Sequence, residues 1–118
     1  MLQAYDRLKE ILTNQSYEAA LGFVDNYPMS SPIDEMLKTN FYCYLTIQRG
    51  FKINQNLTIL QNCLAQEKCK GGIRALTRYH ICQIYFIEDL KACGAECEEI
   101  MGEFFGSYHM LKEHIERT

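Results

Sequence analysis

Six cysteines and three histidines are the side chains best able to do chemistry in this chain of 118 residues. Thiolate and imidazole hold zinc, and a thiolate beside an imidazole can act as a nucleophile. Spacing decides whether either is on offer. A structural zinc site favours Cys-x-x-Cys pairs, and Cys43, Cys63, Cys69, Cys82, Cys93 and Cys97 contain none. Cys93 and Cys97 share a helical face that His109 or His114 could approach. Cys63, Cys69 and His80 form a second loose set. Neither set has ligand spacing, and thiols four residues apart on a regular helix are poorly placed for a disulfide. No cysteine–histidine pair stands out as nucleophile and base, and His80, among apolar neighbours, reads as a satisfied core histidine. The expectation is therefore no metal, no cofactor and no catalytic activity. In a small secreted chain six cysteines would suggest three disulfides. Here they fall within apolar helical patterns, so reduced, buried thiols acting as small hydrophobes are expected.

Charge offers two further candidates. Lys70, Arg74 and Arg78 lie at or near the start of a helix, and Arg74 and Arg78 are one turn apart on one face. Free amides following Gly71-Gly72 favour an anion such as a carboxylate, a phosphate or an acidic peptide. The stretch is no Walker loop, because Gly-Gly is not followed by Lys-Ser/Thr. Glu96, Glu98, Glu99 and Glu103 make either a solvated helix start or an acidic patch for a basic partner. The net charge of −3 and a pI near 5.6 argue against nucleic acid as a partner. The longest apolar run, Ile81 to Ile87, is far shorter than the roughly 18 residues a membrane span needs. The opening MLQAYDRLKE mixes charged and apolar residues, unlike a secretory signal, so a cytoplasmic location is expected.

These residues must be positioned by helices. Apolar residues make up 47% of the chain and charged residues 23%, enough for one core and a single domain over 1–118. Tyr5, Leu8, Ile11 and Leu12 have helical spacing and predict a helix over 2–13. Ser16 caps a second helix, 17–26, with Tyr17, Ala20, Leu21 and Val24 on its apolar face. Pro28 to Pro32 is a linker. A third helix runs from about Ile33 to Arg49 with Gly50 as C-cap. A fourth spans 54–67, a fifth 73–90, and a sixth continues to the C-terminus. No stretch alternates as a strand would. Tyr17, Leu57 and Cys97 are spaced by 40 residues, as are Ala20, Leu60 and Ile100, and Val24, Leu64 and Phe104. Ala4, Cys43 and Cys82 are spaced by 39, as are Leu8, Ile47 and Phe86. The expected fold is all-α, with about six antiparallel helices stacked as three hairpins.

The stretch SYEAALGFVDNYP resembles the second helix of a tetratricopeptide repeat, through Tyr17, Glu18, Ala20, Leu21, Val24 and Pro28. Residues 40–45 and 79–85 are similar to first helices of later units. The aromatic-Leu-Gly signature of a first helix is absent, and the spacing is nearer 40 than the usual 34 or so. The resemblance implies an α-solenoid fragment whose concave groove takes an extended peptide or a partner helix. Tyr42, Tyr44, Tyr79 and Tyr85 are the candidate groove residues, the alternative being core aromatics. Tetratricopeptide domains that hold a peptide's C-terminal carboxylate use a Lys-x-x-x-Arg pair in the third unit and an Asn in the second. Lys70, Arg74 and Asn40 resemble that set, although the Lys-x-x-x-Asn of the first unit is missing. The function implied is a non-catalytic interaction module: an adaptor, chaperone or inhibitor binding another protein. The alternatives are a small-ligand or peptide sensor with its anion site at Lys70, Arg74 and Arg78, and a thiol or metal sensor. Apolar ends of a three-hairpin array would also suit a homodimer.

Overall fold

The computed structural model describes residues 2–49 and 53–88, all of whose regular structure is helical. Five helices follow one another: α1 (Leu2–Asn14), α2 (Tyr17–Asp25), α3 (Pro32–Arg49), α4 (Ile53–Leu64) and α5 (Gly71–Glu88). The expected sixth helix and the Gly50 cap lie outside the described residues.

The boundaries follow from local chemistry. Ser16 is extended (φ −153°, ψ 163°), and its Oγ accepts the amide of Ala19 at 3.0 Å, the N-cap bond expected of it. Ser31 does the same for α3, accepting the Asp34 amide at 3.1 Å. Pro32 then fills the first helical position, where its missing N–H has no intrahelical partner to lose. α4 ends at Leu64, earlier than its apolar pattern suggests. Two successive turns end it: Gln66 N–H donates to the Cys63 carbonyl at 3.1 Å, and Cys69 N–H to the Gln66 carbonyl at 3.0 Å. α5 begins at Gly71, whose φ of 59° is left-handed and strains any residue with a Cβ.

α3 is the central helix and is buried on two sides. Met36, Leu37, Phe41, Tyr44 and Leu45 join Tyr5, Leu8 and Ile11 of α1, Ala20 and Val24 of α2, and Ile73, Leu76 and Tyr79 of α5 in the main core. Cys43 and Ile47 face the other way, meeting Leu60 of α4 and Ile81 and Ile84 of α5 in a smaller cluster. Polar staples hold α2 to α3. Lys38 Nζ donates to the Asp25 and Tyr27 carbonyls at 3.0 and 3.3 Å, satisfying the C-terminal end of α2. The Tyr42 hydroxyl donates to Asp25 Oδ1. At the opposite end the Arg49 guanidinium lies 4.3 Å from the centre of the Tyr17 ring. Among the described residues, no helix is long and apolar enough to cross a membrane.

The cysteines match their expected role in part. Cys43, Cys63 and Cys69 are free and buried. Cys82 is also buried, but it is disulfide-bonded rather than reduced. Cys93 and Cys97 lie outside the described residues.

Candidate functional site

The most concentrated polar chemistry sits in the core, where α1, α3 and α5 meet. His80 of α5 is 0% exposed. Its Nδ1 lies 2.8 Å from Asn40 Oδ1 of α3, and its Nε2 lies 3.2 Å from the Tyr5 hydroxyl of α1. Asn40 Nδ2 donates twice, to the Met36 carbonyl at 2.9 Å and to Thr77 Oγ1 at 3.0 Å. Thr77 in turn donates to the Ile73 carbonyl at 2.7 Å.

These contacts fix every proton. Both amide hydrogens of Asn40 are engaged, so its Oδ1 is an acceptor and His80 Nδ1 carries the hydrogen. Burial drives the imidazole pKa down to about 3, so the ring is neutral and Nε2 is a bare acceptor. The Tyr5 hydroxyl therefore donates to it. The rings of Tyr5, Tyr44 and Tyr79 close around the imidazole, with centroids 6.0, 6.2 and 6.0 Å away. A neutral imidazole with both nitrogens bonded and no exposed edge has no substrate to meet. This is a satisfied core histidine, as its apolar neighbours suggest.

The network also decides the fate of the predicted site. Asn40 is wholly buried and bonded on all sides. Its amide completes the His80 and Thr77 partnerships inside the core. Tyr44 and Tyr79 are buried core aromatics rather than groove residues, since both rings pack against His80. Tyr42 is half-buried and bound to Asp25; burial, followed by that bond, pushes its phenol up to about 12. The side chain of Tyr85 lies outside the described residues. Lys70 and Arg74 are exposed at the start of α5, and the Arg74 guanidinium donates to the Leu64 carbonyl at 3.5 Å. Arg78 is half-buried and already engaged. The structure thus places the three cations just before and along the first two turns of α5. The described residues do not hold three His, Cys, Asp or Glu side chains close enough together to bind a metal.

A different surface emerges at the corner between α2 and α3. α2 is apolar almost all round, yet only Ala20 and Val24 are buried. Tyr17, Ala19, Leu21 and Phe23 remain half-exposed, and the chain continues into Tyr27. The linker then carries Met29, 59% exposed, and the first turn of α3 carries Ile33, 49% exposed. In the same stretch of chain Glu18, Asp25 and Glu35 are exposed and Asp34 is half-exposed. A hydroxyl bond from Ser30 at 2.6 Å holds the Asp34 carboxyl below the usual carboxylate range. Sequence reading missed Met29 because the proline linker has no helical period to make an apolar residue stand out, and Ile33 because it falls in the first turn of α3, before that helix's apolar stripe is established. It missed Thr77 because a threonine mid-helix is unremarkable until its neighbours are known.

No family model matches the chain, and no curated protein or solved structure matches it either.

Proposed function

We propose that this chain is a non-catalytic protein-interaction module that receives an amphipathic, basic segment of another protein on the α2–α3 corner. The observation that carries the reading is the exposed pair Met29 and Ile33, which follow the half-exposed apolar residues of α2 in the chain. An apolar patch of this kind rimmed by polar groups is typical of a docking surface. Its rim of Glu18, Asp25, Asp34 and Glu35 selects a partner carrying lysine or arginine beside its apolar anchors. The chemistry-bearing side chains supply the complementary argument, since His80, Asn40 and Thr77 are all bonded inside the core.

The helical-hairpin repeat is proposed as the plan of the fold. Its support is the like burial of three of the five described pairs of positions 40 or 39 residues apart that join the first unit to the second; Val24 is buried where Leu64 is half-buried, and Ala4 half-buried where Cys43 is buried. Ala20 and Leu60 are both wholly buried, Tyr17 and Leu57 both half-buried, and Leu8 and Ile47 both buried. In a stacked array each unit touches only its neighbours. Here Tyr5 of α1 also reaches His80 of α5, a contact between first and third units that departs from that plan and engages the inner sides of α1 and α5 with each other. That is why the binding face is assigned to the α2–α3 corner. The test is affinity capture from the native source with wild type and with Met29→Asp/Ile33→Asp. The double variant should retain the wild-type melting temperature and lose the stoichiometric partner. Recovery of the same proteins by both would overturn the assignment.

A further inference from the structure

Two free thiols in the core belong to no role yet described. Cys63 lies in the last turn of α4 and Cys69 in the loop that follows, and both are buried. Their sulfurs approach a single oxygen, Thr77 Oγ1, at 3.8 and 4.0 Å. The chain between them produces this convergence. The Cys63 carbonyl accepts from Gln66 N–H, and the Gln66 carbonyl from Cys69 N–H, so two linked turns fold residue 69 back over residue 63.

We propose that Cys63 and Cys69 form a redox-active dithiol that a hydroperoxide converts into a Cys63–Cys69 disulfide. The two cysteines have unequal access. Cys69 is buried, but Gln66, Glu67, Lys68 and Lys70 around it are all exposed, so a small outward movement of the loop presents its sulfur to solvent. Cys63 sits on a helix and stays inside, where burial pushes its thiol up to about 11 and keeps it protonated. Cys69 is therefore the sulfur oxidised first and Cys63 the one that resolves.

The chemistry balances with hydrogen peroxide as the named oxidant. The Cys69 thiolate attacks one peroxide oxygen, the O–O bond breaks, and the departing hydroxide takes up the thiol proton as water. Cys69 is then a sulfenic acid. As the loop closes, Cys63 Sγ loses its proton and attacks Cys69 Sγ. The S–S bond forms, the S–O bond breaks, and the second water leaves with that proton. The two thiols give up two electrons and two protons, and one peroxide becomes two waters. The product has no S–H left to offer Thr77, which is also the hydroxyl that Asn40 donates to. Oxidation is thereby coupled to the polar network in the core. Cys43 is the competing thiol. It is a rigid α3 residue in the smaller core cluster, and burial pushes it up to about 12.

Trypsin makes the test direct, because Lys68 separates the two cysteines. The full chain is treated with hydrogen peroxide, free thiols are alkylated, and a non-reducing tryptic digest is read by mass spectrometry. The Cys69-Lys70 dipeptide should appear joined to the peptide containing Cys63 and be released by a thiol reductant. The link should persist in Cys43→Ser and fall to background in Cys63→Ser and Cys69→Ser. Should the serine variants fail to fold, Cys63→Ala and Cys69→Ala take their place, and the map of the wild-type chain decides on its own. Joining of Cys63 to Cys43, recovery of both residues as separate sulfinic acids, or recovery of both as alkylated thiols would each overturn the proposal.

Discussion

Protonating His80 should destabilise the fold, and the size of the effect can be worked out. In the unfolded chain the imidazole titrates near its ordinary value of 6.5, whereas in the core burial depresses it to about 3. The native state therefore binds fewer protons than the unfolded state between these values. Stability from the neutral ring is fully present above pH 6.5, falls as pH drops below it, and levels off near pH 3. Each pH unit in that window is worth about 1.4 kcal/mol, so moving from pH 7 to pH 5 should remove about 2 kcal/mol. That is a large share of the roughly 5–15 kcal/mol that holds a domain together. Asp34 does not confuse the window. Its carboxyl lies below the usual range, so the stability it contributes is lost only as pH falls through that lower value. The assay is urea unfolding followed by circular dichroism at pH 7.0, 6.0 and 5.0, for wild type and His80→Gln. The variant has no ring to protonate, so groups elsewhere cancel in the comparison. It should be weaker at pH 7, and its loss between pH 7 and 5 should be smaller than the wild type's by about 2 kcal/mol. Equal losses in the two proteins would refute the buried, neutral His80.

The rest of the fold makes equally specific demands. Asn40→Ala leaves His80 Nδ1–H without its acceptor in a closed core and should cost about 3 kcal/mol in urea unfolding at pH 7. Tyr5→Phe removes only the hydroxyl that bonds Nε2 and should cost about 1–3 kcal/mol, with faster amide exchange confined largely to α1. Leu8→Ala empties a wholly buried site between helices and should cost about 2–5 kcal/mol. Ser16→Ala removes the cap of α2 and should cost about 1 kcal/mol, read as a lower unfolding midpoint with an unchanged slope.

Much of this architecture is legible in the sequence, because helix starts and stops are local events. Ser16 and Pro32 need only their immediate neighbours to declare a boundary, and the spacing of Tyr5, Leu8 and Ile11 identifies a buried face without reference to the rest of the chain. The site is less legible, because its partners are far apart. Asn40 is separated from His80 by 40 residues and Tyr5 by 75, and nothing local states that they meet. A resemblance to a peptide clamp gave Asn40 a surface role. Its position one turn from Met36 and from Tyr44, on the most apolar side of α3, is the signal that points inward. Tyr44 and Tyr79 follow the same logic: a tyrosine on an apolar stripe is a core residue first. Met29 and Ile33 escaped for the opposite reason, since an exposed apolar residue in a linker or in the first turn of a helix breaks no pattern.

The central claim, that recognition occurs at the α2–α3 corner and not on a groove formed by α1, α3 and α5, is tested most directly by hydrogen exchange. The protein would be measured alone and in complex with the protein it captures, peptide by peptide. New protection over residues 17–35, with α4 and α5 unchanged, is the predicted result. New protection centred on α3 and α5, with residues 17–35 exchanging as freely as before, would contradict it.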